Sequence, residues 1–124
     1  MSVNHDQVIK EIVNHLNLNK YDVYTNPGQE HNAGIDENYP DVILTVKGGN
    51  TVKFIMEVET EDSVNTEESK SQWKKYFDEI NATLYLVVPV TSLNRAKELC
   101  QRIGINARFV LYSEKAGRIF FDFQ

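Results

Sequence analysis

The chain has 124 residues, 41% of them hydrophobic and 25% charged, enough for one domain with its own core and too few for two. Its formal net charge of −5 opposes approach to a phosphate backbone, so a nucleic-acid role requires a local basic surface or a bound cation. A single cysteine, Cys100, excludes an internal disulfide and a thiolate zinc cluster. The N-terminal residues lack the basic and apolar regions of a secretion signal. The longest apolar run, Leu84 to Val90, is interrupted by Pro89 and is too short to span a bilayer. The expectation is a soluble, cytoplasmic protein with no membrane partner.

Residues 4–18 read as a helix, with Val8, Ile9, Ile12, Val13 and Leu16 in one apolar stripe and Asn4 and Gln7 spaced as a capping box. A short strand follows at 21–25. Residues 26–39 are polar and broken by Pro27, Gly28 and Gly34, with Asp36 and Glu37 near the end. A loop this long in so small a domain is more often functional than accidental.

Residues 41–46 and 51–59 are two strands joined by Lys47-Gly48-Gly49-Asn50, a hairpin signal. The turn sets which side chains face each other. A two-residue Gly48-Gly49 loop puts Asp41 opposite Met56 and sends Glu57 to the other face; a three-residue loop puts Asp41 opposite Glu57. Cooperation between these carboxylates therefore predicts the odd-length loop or an equivalent bulge.

A helix is predicted from Asn65 to about Ile80, capped by Asn65 with Glu68 and apolar along Trp73, Tyr76, Phe77 and Ile80. The run from Leu84 to Val90 is apolar almost without a break, as in a strand covered on both faces. Ser92 then caps a helix over residues 93–103, which Gly104 ends. Cys100 shares that helix's apolar face with Leu93, Ala96 and Ile103, so it reads as a small core hydrophobe. Strands at 108–113 and 118–123 flank a turn at Lys115-Ala116-Gly117. The order α-β-β-β-α-β-α-β-β predicts a single α/β domain over 1–124, a mixed sheet with helices on both faces.

Three segments carry chemistry together: Pro40-Asp41 at the start of the second strand, Glu57-Val58-Glu59 on the third, and Gln72-Trp73-Lys74-Lys75-Tyr76 on the following helix. They resemble the PD-(D/E)XK phosphodiesterases, the restriction-endonuclease-like superfamily, over roughly residues 4–113. The helix segment is similar to the Gln-x-x-x-Tyr motif of the RecB-like branch. The resemblance implies a restriction-endonuclease-like fold and an endo- or exodeoxyribonuclease dependent on Mg²⁺ or Mn²⁺. It implies Asp41, Glu57 and the Val58 carbonyl as metal ligands, with Gln72 and Tyr76 bordering the site. Hard carboxylate oxygens suit such cations, and phosphodiester cleavage needs an activated water and neutralised charge.

Glu59 stands where the family has its lysine. Glu57 and Glu59 share a strand face, so three outcomes stay open: Glu59 as a third ligand, a migrated lysine, or a dead site. On the helix Lys75 lies roughly 60° from Gln72 and Lys74 roughly 160° away, which favours Lys75 as a migrated lysine. Lys53, two residue pairs from Glu57, is a poorer one. The apolar register turns Gln7 and Glu11 outward. His5 lies near the edge of the apolar face, where a merely satisfied or exposed histidine is the simpler reading.

Two functional classes follow. The first is a nuclease-like enzyme acting on DNA through Asp41, Glu57 and Glu59, with Lys75, Gln72 and Tyr76 beside them. The second is an inactive module of the same fold that binds nucleic acid or a protein, as a homodimer or a subunit of a nucleic-acid-processing system. Against both stands an ordinary α/β domain whose acidic strand ends bind calcium or nothing. Lys70, Lys74 and Lys75 are interrupted by Glu61, Asp62, Glu67 and Glu68, so no continuous basic stripe is expected. The aromatic C-terminus, Ile119 to Phe123, is suited to covering a sheet edge or forming a dimer interface.

Overall fold

A computed structural model describes residues 4–28, 31–35, 37–65 and 67–124, and the side chains of all of these but 68 and 69. The elements are α1 (His5–Val13), β1 (Tyr21–Thr25), β2 (Val42–Val46), β3 (Val52–Val58), α2 (Glu67–Glu79), β4 (Thr83–Pro89), α3 (Leu93–Ile103), β5 (Arg108–Lys115) and β6 (Arg118–Phe123), with short 3₁₀ turns at Ser63–Asn65 and Val90–Ser92. The six strands form one mixed sheet in sequential order. β3, β4 and β5 run parallel, while β1, β2 and β6 are antiparallel to their neighbours.

Parallel neighbours need crossovers, which α2 and α3 supply. Both crossovers step the same way along the sheet, so a common hand puts both helices on one face. Trp73 and Tyr76 of α2, Ile80 just after it, and Ala96, Leu99 and Cys100 of α3 pack there on Ile43, Ile55, Leu84, Leu86 and Val88. On the other face Val8, Ile9 and Ile12 of α1 pack on Val42, Leu44, Met56, Val58, Val87 and Val110. The apolar run in β4 thus serves two cores.

Asn4 accepts the Gln7 amide at 2.8 Å and starts α1, but the helix ends at Val13 rather than 18. The asparagines beyond it favour turns: Asn17 accepts the Asn19 amide at 3.1 Å. Ser92 occupies the N-cap of α3 without a side-chain cap bond, since the 3₁₀ turn already leads into the helix. Gly104 ends α3 in the left-handed conformation, φ 73°. The expected Asn65–Glu68 box involves a side chain outside the described residues; the Asn65 side chain itself donates to the Glu61 carbonyl and accepts from Arg95.

The β2–β3 hairpin departs from regular pairing in one place. Near the turn Thr45 faces Val52 and the Val46 amide donates to the Thr51 carbonyl, but from Leu44 onward the partners are Leu44–Phe54, Ile43–Ile55 and Val42–Met56. Lys53 is the extra residue. Side-chain alternation says the same, because Val52 packs on the α2–α3 face and Phe54, two residues on, packs on the α1 face. The shift carried one step further brings Asp41 opposite Glu57, as an odd-length loop would have done. Lys53 itself lines a separate groove beside Phe77 and Ile80.

β6 forms a sheet edge. Ile119 and Phe121 pack against the α1-side core, with His15 edge-on to Phe121 at 5.0 Å, while Phe120 and Phe123 remain exposed. Among the described residues no helix is long and apolar enough to cross a membrane.

Candidate functional site

A cavity of about 780 Å³ opens at the carboxyl end of β3. The first residues of α1, the 26–40 loop, the start of β2 and the α2 helix surround it. Asp41, Glu57, Val58, Glu59, Gln72, Lys75 and Tyr76, drawn from three separate stretches of sequence, all line it.

Asp41 and Glu57 are held by backbone as well as by register. The Asp41 amide donates to Glu57 Oε1 at 2.9 Å, and the Val58 amide donates to Asp41 Oδ2 at 2.8 Å. Both residues are buried. Amide and carbonyl of one strand residue point the same way, so the Val58 carbonyl is directed to the Asp41 side, while the Glu59 amide turns to the Val87 carbonyl of β4. Burial pushes the Glu57 carboxyl well above the usual carboxylate range, and the nearby charges of Asp41 and Glu59 push it further. Such a pair calls for a proton or a cation.

His5 supplies a positive charge. Its Nε2 lies 2.9 Å from Asp41 Oδ2 and its Nδ1 lies 3.0 Å from Asp6 Oδ1. The hydrogen bond to Asp41 is the largest reason that the imidazole is raised to about 9, so it is protonated at neutral pH. The bond to His5 in turn holds the Asp6 carboxyl below its usual range. Asp6 Oδ1 also accepts the Gly28 amide at 2.8 Å, which ties the loop to α1. Helical periodicity places His5 only at the edge of the apolar stripe. Its partner is 36 residues away.

Glu59 has a structural task. Its Oε1 accepts the indole N–H of fully buried Trp73 at 3.2 Å, and its carbonyl accepts the Tyr112 hydroxyl at 2.7 Å. A lysine there has no acceptor to offer the indole. Gln72 and Tyr76 meet one helical turn apart, Gln72 Nε2 donating to the Tyr76 hydroxyl at 3.1 Å. Burial, with the Glu57 charge beyond it, holds that hydroxyl above the usual phenol range, so it remains a donor. Lys75 lines the cavity and takes part in no ion pair among the described residues. Glu11 and Gln7 do not line it, and Asp36 lies outside the described residues.

One buried asparagine organises the loop. Asn26 Oδ1 accepts the amides of Asn32 and Ala33 at 2.7 and 2.8 Å, and its Nδ2 donates to the Ala33 and Pro40 carbonyls at 2.7 and 2.8 Å. Its side chain thereby stands in for a strand partner and fixes Pro40 just ahead of Asp41. Asn38 Nδ2 adds a bond to Glu79 of α2 at 3.2 Å.

Among the described residues no three His, Cys, Asp or Glu side chains converge as a ready-made metal cage. The donor chemistry nevertheless suits a cation that keeps much of its water. The hydrogen bonds above engage Asp41 Oδ2 and Glu57 Oε1, leaving Asp41 Oδ1, Glu57 Oε2 and the Val58 carbonyl as hard donors, and Mg²⁺ is commonly held by one or two carboxylates. No protein-family model, no curated protein and no solved structure matches the chain.

Proposed function

We propose that this chain is a metal-dependent nuclease-like domain of the restriction-endonuclease-like type, hydrolysing phosphodiester bonds in DNA. The reading is carried by one observation: a bulge at Lys53 brings Asp41 and Glu57 face to face in a cavity that also holds Lys75, which forms no ion pair among the described residues. Asp41, Glu57 and the Val58 carbonyl would hold Mg²⁺ or Mn²⁺, which supplies Lewis acidity and neutralises charge on the phosphate. Lys75 would position the attacking water or meet the phosphate, and Tyr76 would donate to a phosphate oxygen. Glu59 supports the site through its bond to the Trp73 indole. The parallel β3–β4 pair, the α2 crossover and the position of the cavity at the strand ends all support this reading.

A second reading is favoured by Glu59 itself. A carboxylate committed to Trp73 at the family's lysine position, with His5 already paired to Asp41, suits an inactive module that binds nucleic acid or a protein partner. Titration with Mg²⁺ and Mn²⁺ of the wild type and Asp41→Ala, on plasmid, linear, branched and single-stranded DNA, separates the two. Metal-dependent cleavage lost in Asp41→Ala supports the nuclease. Cleavage that survives the substitution sinks it, and metal binding without cleavage supports the module.

A further inference from the structure

The rim of the cavity carries an aromatic pair that neither core uses. His31 and Tyr39 stack with ring centroids 4.0 Å apart and planes 8° from parallel, and both line the cavity with Asp41. Tyr39 is half-buried and closely backed: a Cβ on Gly34 would come within 2.7 Å of its ring. His31 is exposed. Since Tyr39 covers one face of the imidazole, the solvent-facing surface lies on its other face and edges.

A flat, rigidly backed ring beside a phosphate-directed site fits the π-face of a base, which aromatic side chains bind with little regard to sequence. In duplex DNA both faces of a base are already stacked on its neighbours. We infer that His31, backed by Tyr39, is a stacking platform for an unpaired nucleobase, so that nucleic acid enters as a single strand or a frayed end. The inference rests on the nuclease reading for its ligand class and adds the substrate form. The asparagine-braced loop holds the platform in place before substrate arrives, which lowers the entropic cost of binding.

The test uses the full chain in Mg²⁺ and a DNA dodecamer containing one 2-aminopurine, whose fluorescence is quenched by stacking. The dodecamer is offered single-stranded, as a blunt duplex and as its RNA counterpart. Single strands are expected to bind about tenfold or more tighter than the duplex, and His31→Ala to weaken them about tenfold, within the range for one stacked base. His31→Phe should keep both affinity and quenching. The DNA and RNA arms identify which sugar the site accepts. Equal affinity for duplex and single strand, or an unchanged His31→Ala, overturns the platform, as does an equal loss of all affinities. Cleavage that needs Asp41 but ignores His31 removes the platform and leaves the nuclease. His31-dependent binding without Asp41-dependent cleavage does the reverse.

Discussion

The two ends of the β2–β3 hairpin treat carboxylates in opposite ways. At the turn end Asp22 of β1, half-buried at the protein surface, accepts the Gly48 amide at 2.9 Å and pairs with Lys47 at 3.1 Å, and its carboxyl is held below the usual range by those two partners. At the cavity end Asp41, Glu57 and Glu59 lie buried round one cavity, and Glu57 is pushed up instead. Ion pairing in water contributes little to stability, whereas burying like charges is costly unless a proton, cation or donor offsets them. The turn end is thus a partly exposed ion pair, and the cavity end holds like charges that His5, backbone amides and the raised Glu57 carboxyl offset.

The contrast can be broken at several points. The largest effect is expected at Trp73, where Trp73→Ala removes a fully buried ring and leaves Glu59 without its indole donor; a loss of about 3–5 kcal/mol should appear in urea unfolding. Next, Asp41→Ala and Glu57→Ala should each reduce metal-dependent cleavage by more than the roughly 10–100-fold typical of groups outside the ligand set. Lys75→Ala should fall within that range. Equal rates in all three variants would detach the cavity from the chemistry.

The pH dependence tests the cavity end without substrate. A carboxyl raised in the fold, as Glu57 is, contributes most below its ordinary 4.5 and loses that contribution as pH rises towards its folded value. His5, raised from 6.5 to about 9, contributes fully below 6.5 and loses its contribution as pH climbs to about 9. Both slopes have the same sign. In a chelator, the urea midpoint should therefore fall from mildly acid to alkaline pH, and His5→Ala should flatten the stretch between 6.5 and 9. A midpoint that rises across that range would contradict both assignments.

The smallest effects belong to the turn end. Asp22→Ala should shift the urea midpoint too little to resolve. Deleting Lys53 removes the bulged residue but keeps Val42–Met56 and the pairs around it, so it should leave metal-dependent cleavage within a few-fold of wild type. Loss of activity on that deletion would mean that the bulge does more than correct register.

Much of the sheet and its helices was legible because their signals are local. The apolar stripe Val8, Ile9, Ile12 and the unbroken run in β4 each reflect a periodicity imposed by burial on one face or two. Helix ends were less legible, since Asn14 and Asn17 decide between helix and turn through short-range bonds that spacing does not reveal. In the candidate site, Asp41, Glu57, Gln72, Lys75 and Tyr76 could be selected from motif and facing, and the structure gathers them round one cavity. His5, Asn26 and the His31–Tyr39 stack could not, because each depends on a partner that only chain folding supplies.

The sequence by itself determined a mixed α/β domain, the hairpin, and two carboxylates at its open end, because side-chain periodicity and turn chemistry act over a few residues. Only the tertiary structure decided what those carboxylates touch. The bulge at Lys53 set their facing, Trp73 drew Glu59 into a supporting role, and His5 reached Asp41 from a helix 36 residues earlier. Those choices rest on long-range hydrogen bonds and desolvation, which arise when distant segments are packed together and water is excluded.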